Sequence, residues 1–236
     1  MKRLLVSLNI NDYTCANVRD SLLHASERWD CEYIELTENL VGSQHLMFNK
    51  LVGIKKLIQT LNPDFIFYVD GDVLIRSDAP SPFELFGQDH AIYAVRDVYD
   101  TWTPHRLQVY KIDVTDPWLS MVHDFMRWDV NISTFIETSH HWFFNAGVFL
   151  INVATCKSYI NIFTDHIPSV PVHHRIEQAL WNYILKIKDG IGYMPYEWNL
   201  IDPNIEGEMT GYIYHFTGMT WNTLKPRLAD YNWRRV

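Results

Sequence analysis

The sequence predicts a single α/β domain, spanning residues 1–236, in which helices flank a mostly parallel central sheet. Short apolar runs alternate along the chain with segments of helical periodicity. Strands are predicted at 3–8 and 32–36, and helices at 14–28 and 44–61. This βαβα order is typical of a parallel sheet covered by helices.

The second helix and the strand after it carry the clearest patterns. Apolar residues step along one face of the helix at Met47, Leu51, Ile54, Ile58 and Leu61. Asn62-Pro63 ends the helix, because the residue before a proline disfavours the helical conformation. The run 64–69 is apolar without alternation, which indicates a central strand buried on both faces.

Later elements follow the same alternation. Further strands are predicted at 91–95, 143–151, 191–194 and 212–216, with helices at 117–128 and 175–186. The stretch 97–115 has no clear period, and we interpret it as an excursion on the substrate side. No linker indicates a second domain.

Composition limits the class of protein. The chain has 236 residues, of which 47% are hydrophobic and 14% aromatic, enough for one large core and too many for a disordered chain. The net charge of -8 argues against nucleic acid as the main partner. No apolar run approaches the roughly 18 residues of a membrane span, and the apolar start is too short for a signal peptide. We expect a soluble globular protein.

Two features bear on where the protein acts. Its cysteines are too few and too widely spaced for a disulfide framework or a cysteine-rich zinc site, so we expect reduced thiols and a cytoplasmic location. The cysteines are Cys15, Cys31 and Cys156. The tail is basic and aromatic, with Arg227, Trp233, Arg234 and Arg235. It could contact a membrane surface peripherally, although a solvated end is the favoured interpretation.

Two carboxylates, Asp70 and Asp72, follow the buried strand directly. In open sheets, ligands bind beyond the carboxyl ends of the strands. Carboxylates two residues apart can lie on one side, and Gly71 between them permits a diphosphate to approach the backbone closely. Hard oxygen ligands suit a divalent cation that bridges phosphates. On its own the tripeptide is more simply explained as a strand-ending turn, so its position carries the hypothesis.

Two other side chains are candidates for the same site. His215 lies in an aromatic strand that breaks at Gly218, so its imidazole could reach the end of the sheet. Two carboxylates and one imidazole favour Mn²⁺, with Mg²⁺ as the alternative. Lys50 falls in the apolar sector of the second helix, where it either snorkels or points at a buried phosphate. A hydrogen-bonded core histidine remains the alternative for His215.

Together these motifs resemble those of GT-A fold glycosyltransferases, most closely the family 8 group that includes glycogenin and bacterial lipopolysaccharide galactosyltransferases. The resemblance covers most of the chain. It rests on the segments 67–75, 144–152, 177–178, 197–199 and 215–218, in family order. It implies a Rossmann-like catalytic domain that transfers a sugar, with retention, from a nucleotide diphosphate donor, usually a UDP-sugar, to a glycan or other hydroxyl acceptor.

The resemblance also implies roles for individual residues. The implied metal ligands are Asp70, Asp72 and His215. The implied donor contacts are Leu8, Asn9, Asp12, Tyr13, Lys50, Asp70, Gly71, Asp72, Asn145, Ala146, Gly147, Gly218 and Lys225. Among these, Tyr13 matches the aromatic residue that stacks on uracil. The implied catalytic residues are Gln178, which matches the residue near the anomeric carbon, and Glu177, which stands where the family commonly has aspartate. Lys225 lies later in the chain than the family pattern places its lysine.

Catalysis would depend mainly on stabilising the departing diphosphate with the metal and a lysine. Our hypothesis for retention is same-face attack assisted by Gln178, in preference to a covalent carboxylate intermediate. One alternative is a nucleotidyltransferase, but residues 9–14 contain no glycine-rich phosphate loop. The other alternative is a non-catalytic, metal-dependent sugar-binding module. Such a module would have lost metal or donor residues, and none of them is lost in this sequence. The sequence does not identify the sugar or the acceptor.

Overall fold

The fold is taken from a computed structural model. It describes residues 1–11, 13–42, 46–87, 89–96, 144–166, 177–178, 181–182, 185, 190–201, 210–228 and 233–234. The predicted helix at 117–128, the stretch 97–115 and Asp12 lie outside these residues. Residues 177, 178, 181, 182 and 185 are helical, in agreement with the helix predicted at 175–186.

The described elements include every predicted strand, together with three helices and two short strands that were not predicted. The strands are β1 (Arg3–Leu8), β2 (Glu32–Leu36), β3 (Phe65–Val69), β4 (Val73–Ile75), β5 (Ile92–Arg96), β6 (Phe144–Asn152), β7 (Ile191–Met194), β8 (Leu200–Ile201) and β9 (Ile213–His215). The α-helices are α1 (Ala16–Arg28), α2 (Asn49–Leu61), α3 (Pro82–Leu85), α4 (Val153–His166) and α5 (Gly218–Leu228). Short 3₁₀ helices cover Leu46–Phe48 and Tyr196–Trp198.

The central sheet has six strands in the order β2-β1-β3-β6-β5-β7. Strand β1 runs parallel to β2 and β3, and β5 runs parallel to β7. Strand β6 is antiparallel to both of its neighbours, β3 and β5. The predicted α/β fold is confirmed, and its sheet is mixed around one reversed strand. Strand β6 is buried on both faces, so its hydrophobicity carries no signal of direction.

The core lies on both faces of the sheet. In β3, Ile66 and Tyr68 pack with the apolar face of α2, whereas Phe67 and Val69 pack on the opposite side with α1. Every residue of β3 is buried, as its unbroken apolar run predicts. The ends of β1 and β3 are therefore fixed by burial, and the loops that follow them start from rigid positions.

A second, smaller sheet, in the order β4-β9-β8, completes the site. Strand β4 pairs antiparallel with β9, and the register sets Val73 opposite His215. The N–H of Phe216 donates to the carbonyl of Asp72 over 3.0 Å, and the N–H of Asp70 donates to the carbonyl of Gly147 over 2.7 Å. Both aspartates are thus held by their backbones between the two sheets.

The tail and the cysteines bear on the two expectations about location. Trp233 is buried and packs against His24, with ring centroids 5.3 Å apart, so its indole is not available to a membrane surface. The cysteines are free, as predicted. No helix among the described residues is long and apolar enough to cross a membrane.

Candidate active site

A cavity of about 500 Å³ opens where β1 and β3 end, which is the edge that the sequence predicts. Most of its lining was predicted from the sequence: Leu8, Tyr13, Lys50, Asp70, Gly71, Asp72, Asn145, Gly147, Gln178, His215 and Gly218. Four lining residues were not predicted: Ile10, Leu46, Met47 and Thr217. Three of these four have apolar side chains, and an apolar side chain alone does not indicate a ligand contact in the sequence.

The cavity wall brings together Asp70, Asp72 and His215. One ligand atom from each lies within 4.8 Å of the others. Nε2 of His215 is 3.4 Å from Oδ1 of Asp72 and 3.8 Å from Oδ2 of Asp70. This geometry follows from the fold, because the turn after β3 carries both aspartates and the register of β9 sets the histidine beside them.

These three side chains fit a divalent cation. Oδ1 of Asp72 is buried and accepts no hydrogen bond from any described residue. Burial raises the pKa of Asp72, against the opposing effect of His215, because a desolvated carboxylate is unfavourable. A cation would satisfy this oxygen, and two carboxylates with one imidazole are ligands that Mn²⁺ accepts.

Asp70 divides its two oxygens between support and the site. Oδ1 accepts a hydrogen bond from the hydroxyl of Tyr68 over 2.6 Å and lies 3.4 Å from Nζ of Lys50. Burial raises the pKa of Tyr68, so the phenol keeps the proton that it donates. Oδ2 faces His215 and stays available for a cation.

Lys50 forms buried ion pairs, which explains its place in the apolar sector of α2. Its side chain is 1% exposed. Nζ donates to the carbonyl of Ala146 over 3.0 Å and lies 3.5 Å from Oε2 of Glu177. Burial disfavours the ammonium form, but Asp70 and Glu177 outweigh it and raise the pKa of Lys50. Lys50 therefore reaches the cavity wall with its charge already shared between two carboxylates.

Glu177 lies behind Lys50 and is not among the residues that line the cavity. Burial raises the pKa of Glu177 to about 7, although the charge of Lys50 lowers it. Its Oε1 atom is buried and has no hydrogen-bond partner among the described residues. The structure thus gives Glu177 a supporting contact with Lys50 and places it outside the described lining of the cavity.

We expect Lys50→Met to destabilise the protein by about 3 kcal/mol, because it leaves the Glu177 carboxyl buried without its cation. Denaturant unfolding of the wild type and the variant measures this difference. Lys55→Met is the matched control on the same helix, since Lys55 pairs with Asp165 at the surface over 2.7 Å. That change should cost less than about 1 kcal/mol. Equal losses of unfolding free energy in the two variants would contradict the buried ion pair between Lys50 and Glu177.

The loop after β1 is shaped by residues predicted to touch the donor. The Asn9 side chain turns inward, and its Oδ1 accepts a hydrogen bond from the N–H of Thr14 over 2.8 Å. A Cβ on Gly71 would lie 2.5 Å from the carbonyl oxygen of Leu8 and 2.6 Å from Oγ1 of Thr14. The loop after β1 therefore already requires glycine at position 71, and Gly71 also lines the cavity, so a close approach by a diphosphate stays a prediction. Asn9 does not line the cavity, whereas Leu8 does.

Tyr13 stands at the cavity mouth with its side chain braced from behind. It is 38% exposed, and its ring centroid is 5.4 Å from that of Trp221. Nζ of Lys225 donates to the Tyr13 carbonyl over 2.6 Å and lies 5.5 Å from the centre of the Tyr13 ring. Lys225, predicted as a diphosphate contact, is bound here to the loop backbone and is not among the lining residues.

The start of β6 forms the far wall. The N–H of Ala146 donates to Oε1 of Gln178 over 3.4 Å, which sets Gln178 at the cavity surface. Ala146 is itself buried and offers Lys50 its carbonyl. A Cβ on Gly147 would lie 2.1 Å from Cε1 of His215 and 2.9 Å from Oδ2 of Asp70, so glycine makes room for both side chains.

Asn199 is the residue whose role sequence reasoning missed. It is 0% exposed, and its Oδ1 lies 3.1 Å from Nδ1 of His215. The segment 197–199 belongs to the resembling motifs, but only the fold shows that Asn199 contacts the histidine. A buried polar residue directly after a tryptophan was the available signal.

The fold and the site define the class of protein as a GT-A fold glycosyltransferase. A glycosyltransferase involved in glycosylation of the major capsid of PBCV-1 shares 11% identity over 97% of this chain and 99% of its own, with a TM-score of 0.60. The galactosyltransferase LgtC, solved in complex with donor and acceptor sugar analogs, shares 16% over 96% and 95%, with a TM-score of 0.54. GlyE of Streptococcus pneumoniae shares 15% over 98% of this chain and 62% of its own, with a TM-score of 0.54. These likenesses show the fold.

The family is shown by the sequence itself. Residues 11–184 match the model of the Rhodobacterales glycosyltransferase domain, so the chain belongs to that family. No curated protein matches the sequence. The enzyme is therefore a glycosyltransferase. Its family selects this function over the two alternatives that the sequence left open, a nucleotidyltransferase and a non-catalytic sugar-binding module.

Proposed function

We propose that this glycosyltransferase depends on a divalent metal, Mn²⁺ in the first place, and transfers the sugar of a UDP-sugar to a hydroxyl of a glycan or other acceptor. The observation that carries the proposal is the cluster of Asp70, Asp72 and His215 on the wall of a 500 Å³ cavity. A bound cation supplies electrostatic stabilisation of the charge that grows on the departing diphosphate. The three side chains would hold it at the point where β3 ends.

Tyr13 supports a nucleotide as the leaving group. Its half-exposed ring at the cavity mouth offers a planar face on which a base can stack. Trp221 and Lys225 hold that ring and its backbone in place, so little entropy is lost when a base stacks on it. LgtC, which shares the fold, has been solved with donor and acceptor sugar analogs, and this supports a sugar donor in the present cavity.

The distribution of carboxylates supports retention by same-face attack. Among the described residues that line the cavity, the carboxylates are Asp70 and Asp72, both of which we assign to the metal. Glu177 lies behind Lys50, so it is poorly placed to act as a nucleophile. We assign Gln178 the task of orienting the reacting sugar, because it lines the same cavity as both aspartates. Trapping of a glycosyl-enzyme adduct would overturn this assignment.

We further propose that residues 1–236 act as one catalytic domain. A single cavity wall draws residues from β1, α2, the turn after β3, β6 and β9, so distant parts of the chain must fold together to form it. The free cysteines support the expectation of a reducing, cytoplasmic compartment.

We expect a screen of nucleotide-sugars to identify the donor. The enzyme should slowly hydrolyse a UDP-sugar when Mn²⁺ is present, because water can replace the acceptor at the activated anomeric carbon. Release of the nucleoside diphosphate is measured for UDP-, GDP- and ADP-linked sugars, with and without a chelator. Preferential hydrolysis of a GDP- or ADP-sugar would contradict the UDP assignment. Hydrolysis that persists in chelator would contradict the metal dependence.

A further inference from the structure

We propose that Asn199 and Asn145 are positioning residues that set the tautomer of His215, so that its Nε2 presents a lone pair to the cation. The inference rests on the proposed metal site and concerns Asn199, which contacts the ligand His215, and Asn145, which contacts Asn199. Its starting point is a chain of hydrogen bonds that runs from the backbone of β6 to the imidazole ring. Each link fixes the direction of the next.

The series of hydrogen bonds begins at a backbone N–H group, whose role as a donor is fixed. The backbone N–H of Gly147 donates to the side chain of Asn145 over 2.8 Å. A backbone N–H can only donate, so the Asn145 atom that faces it must be the carbonyl oxygen, Oδ1. This hydrogen bond fixes the amide orientation of Asn145.

The same oxygen then orients Asn199. The Asn199 side chain approaches Oδ1 of Asn145 to 3.1 Å, and only its NH₂ group can make a favourable contact with an acceptor. The other end of the Asn199 amide, Oδ1, is therefore the atom 3.1 Å from Nδ1 of His215. Because this oxygen accepts, Nδ1 of the imidazole must carry the proton.

With Nδ1 protonated, the neutral ring has its lone pair on Nε2. Nε2 is the nitrogen that lies 3.4 Å from Oδ1 of Asp72, inside the proposed metal site. If the tautomer were not fixed, the two carboxylates would draw the proton to Nε2, where it would occupy the position of the cation. Partners of this kind, behind a metal ligand, typically change metal affinity by 10- to 100-fold.

The surroundings of Asn199 suit this task. Its side chain is 0% exposed, so water cannot replace it as the partner of His215. Its backbone N–H donates to the carbonyl of Tyr196 over 3.0 Å, which fixes the residue at the end of a 3₁₀ turn anchored by the buried Trp198. A neutral amide also adds no further negative charge to a site that already contains two carboxylates.

The tautomer can be measured on the metal-free wild-type protein. Selective ¹⁵N labelling of histidine, with long-range proton–nitrogen correlation spectra, distinguishes a protonated ring nitrogen from a bare one. The His215 signal is assigned by its loss in His215→Gln. We expect the neutral ring to carry its proton on Nδ1. A neutral ring that carries its proton on Nε2 would overturn the inference, and this result needs no destabilising variant.

Variants test the consequence for the metal. Asn199→Leu, which keeps the size but removes both polar groups, should move the proton to Nε2 and weaken Mn²⁺ binding by roughly 10- to 100-fold. Asn199→Asp keeps an acceptor for Nδ1 but sets a second acceptor against Oδ1 of Asn145, so it should retain the tautomer and lose less Mn²⁺ affinity than Asn199→Leu. Wild-type affinity and tautomer in Asn199→Leu, or an equal loss in both variants, would contradict the proposal.

A matched control separates this effect from a general loss of stability. Asn152 lies at the opposite end of β6 and donates to the carbonyl of Gly87 over 3.0 Å. Asn152→Leu removes one partly buried amide without touching the site and should leave Mn²⁺ affinity unchanged. Failure of the wild type itself to bind Mn²⁺ would overturn the proposed metal site and the role given to the tautomer. The spectrum of the metal-free protein still decides the tautomer.

Discussion

Asp72→Asn is expected to lower sugar transfer by roughly 10³-fold, because it removes a charged ligand from the group that stabilises the leaving diphosphate. Turnover of the donor in the presence of Mn²⁺ measures the loss. The fold should survive. Burial and the nearby Asp70 raise the pKa of Asp72, and its Oδ1 has no donor among the described residues. A neutral amide therefore removes an unfavourable buried charge.

Asp78→Asn is the control for this experiment. This variant makes the same chemical change at the protein surface. There the Asp78 carboxylate pairs with Arg76, and neither residue lines the cavity. We expect wild-type turnover and a melting temperature close to that of the wild type. Undiminished turnover in Asp72→Asn would contradict the metal assignment. Unfolding of that variant would instead contradict our account of the Asp72 charge.

Gly147→Ala should disable the site without altering any proposed ligand atom. The added methyl group would lie 2.1 Å from Cε1 and 2.8 Å from Nε2 of His215, so the ring must move away from Asp70 and Asp72. Asn199 holds the other side of the ring over 3.1 Å, which limits how far it can turn. We expect a loss of Mn²⁺ affinity and of turnover by at least about a hundredfold. Metal titration and donor hydrolysis measure the two effects.

Gly190→Ala is the matched change elsewhere in the fold. Its Cβ would lie 3.3 Å from Cβ of Ala91 and 3.4 Å from Cδ2 of Leu185, contacts that need only small adjustments. Metal affinity and turnover should stay at wild-type levels. The account of Gly147 would be wrong if Gly147→Ala bound Mn²⁺ as tightly as Gly190→Ala.

Strands β1, β2 and β3 could be predicted from the sequence to within a residue, because burial on the sheet selects their apolar patterns. Helix α2 ends where predicted but begins five residues later, at Asn49, after a short 3₁₀ helix, and helix α4 was not predicted. Strands β4 and β8, of three and two residues, are too short to show a period. Helix α5 was missed for another reason, since it begins at Gly218 and contains Pro226, both of which disfavour helix.

The meeting of Asp70, Asp72 and His215 could also be predicted, because each residue lies at the end of a strand or directly after one. Their partners could not. Lys50 bonds to a carbonyl 96 residues away, and Asn199 contacts His215 from a different strand connection. Such contacts depend on the register of sheets that pair distant segments, here with β6 reversed. Local patterns in the sequence do not indicate how distant strands pair.

The overall charge proves a poor guide to the ligand. A net charge of -8 suggests aversion to phosphate, yet beside the cavity Lys50 offsets part of the charge of Asp70 and Glu177. A cation held by the remaining carboxylate oxygens would make this local region favourable to a diphosphate. Binding of an anionic donor is thus governed by the site and not by the sum over the chain.

Isothermal titration calorimetry of UDP binding, with and without Mn²⁺, tests the central claim most directly. We expect UDP to bind when Mn²⁺ is present and chelation to weaken this binding strongly, because Asp70, Asp72 and His215 would hold a cation that offsets the charge of the diphosphate. In Asp72→Asn the effect of Mn²⁺ should disappear. Absence of UDP binding both with and without Mn²⁺ would contradict the account.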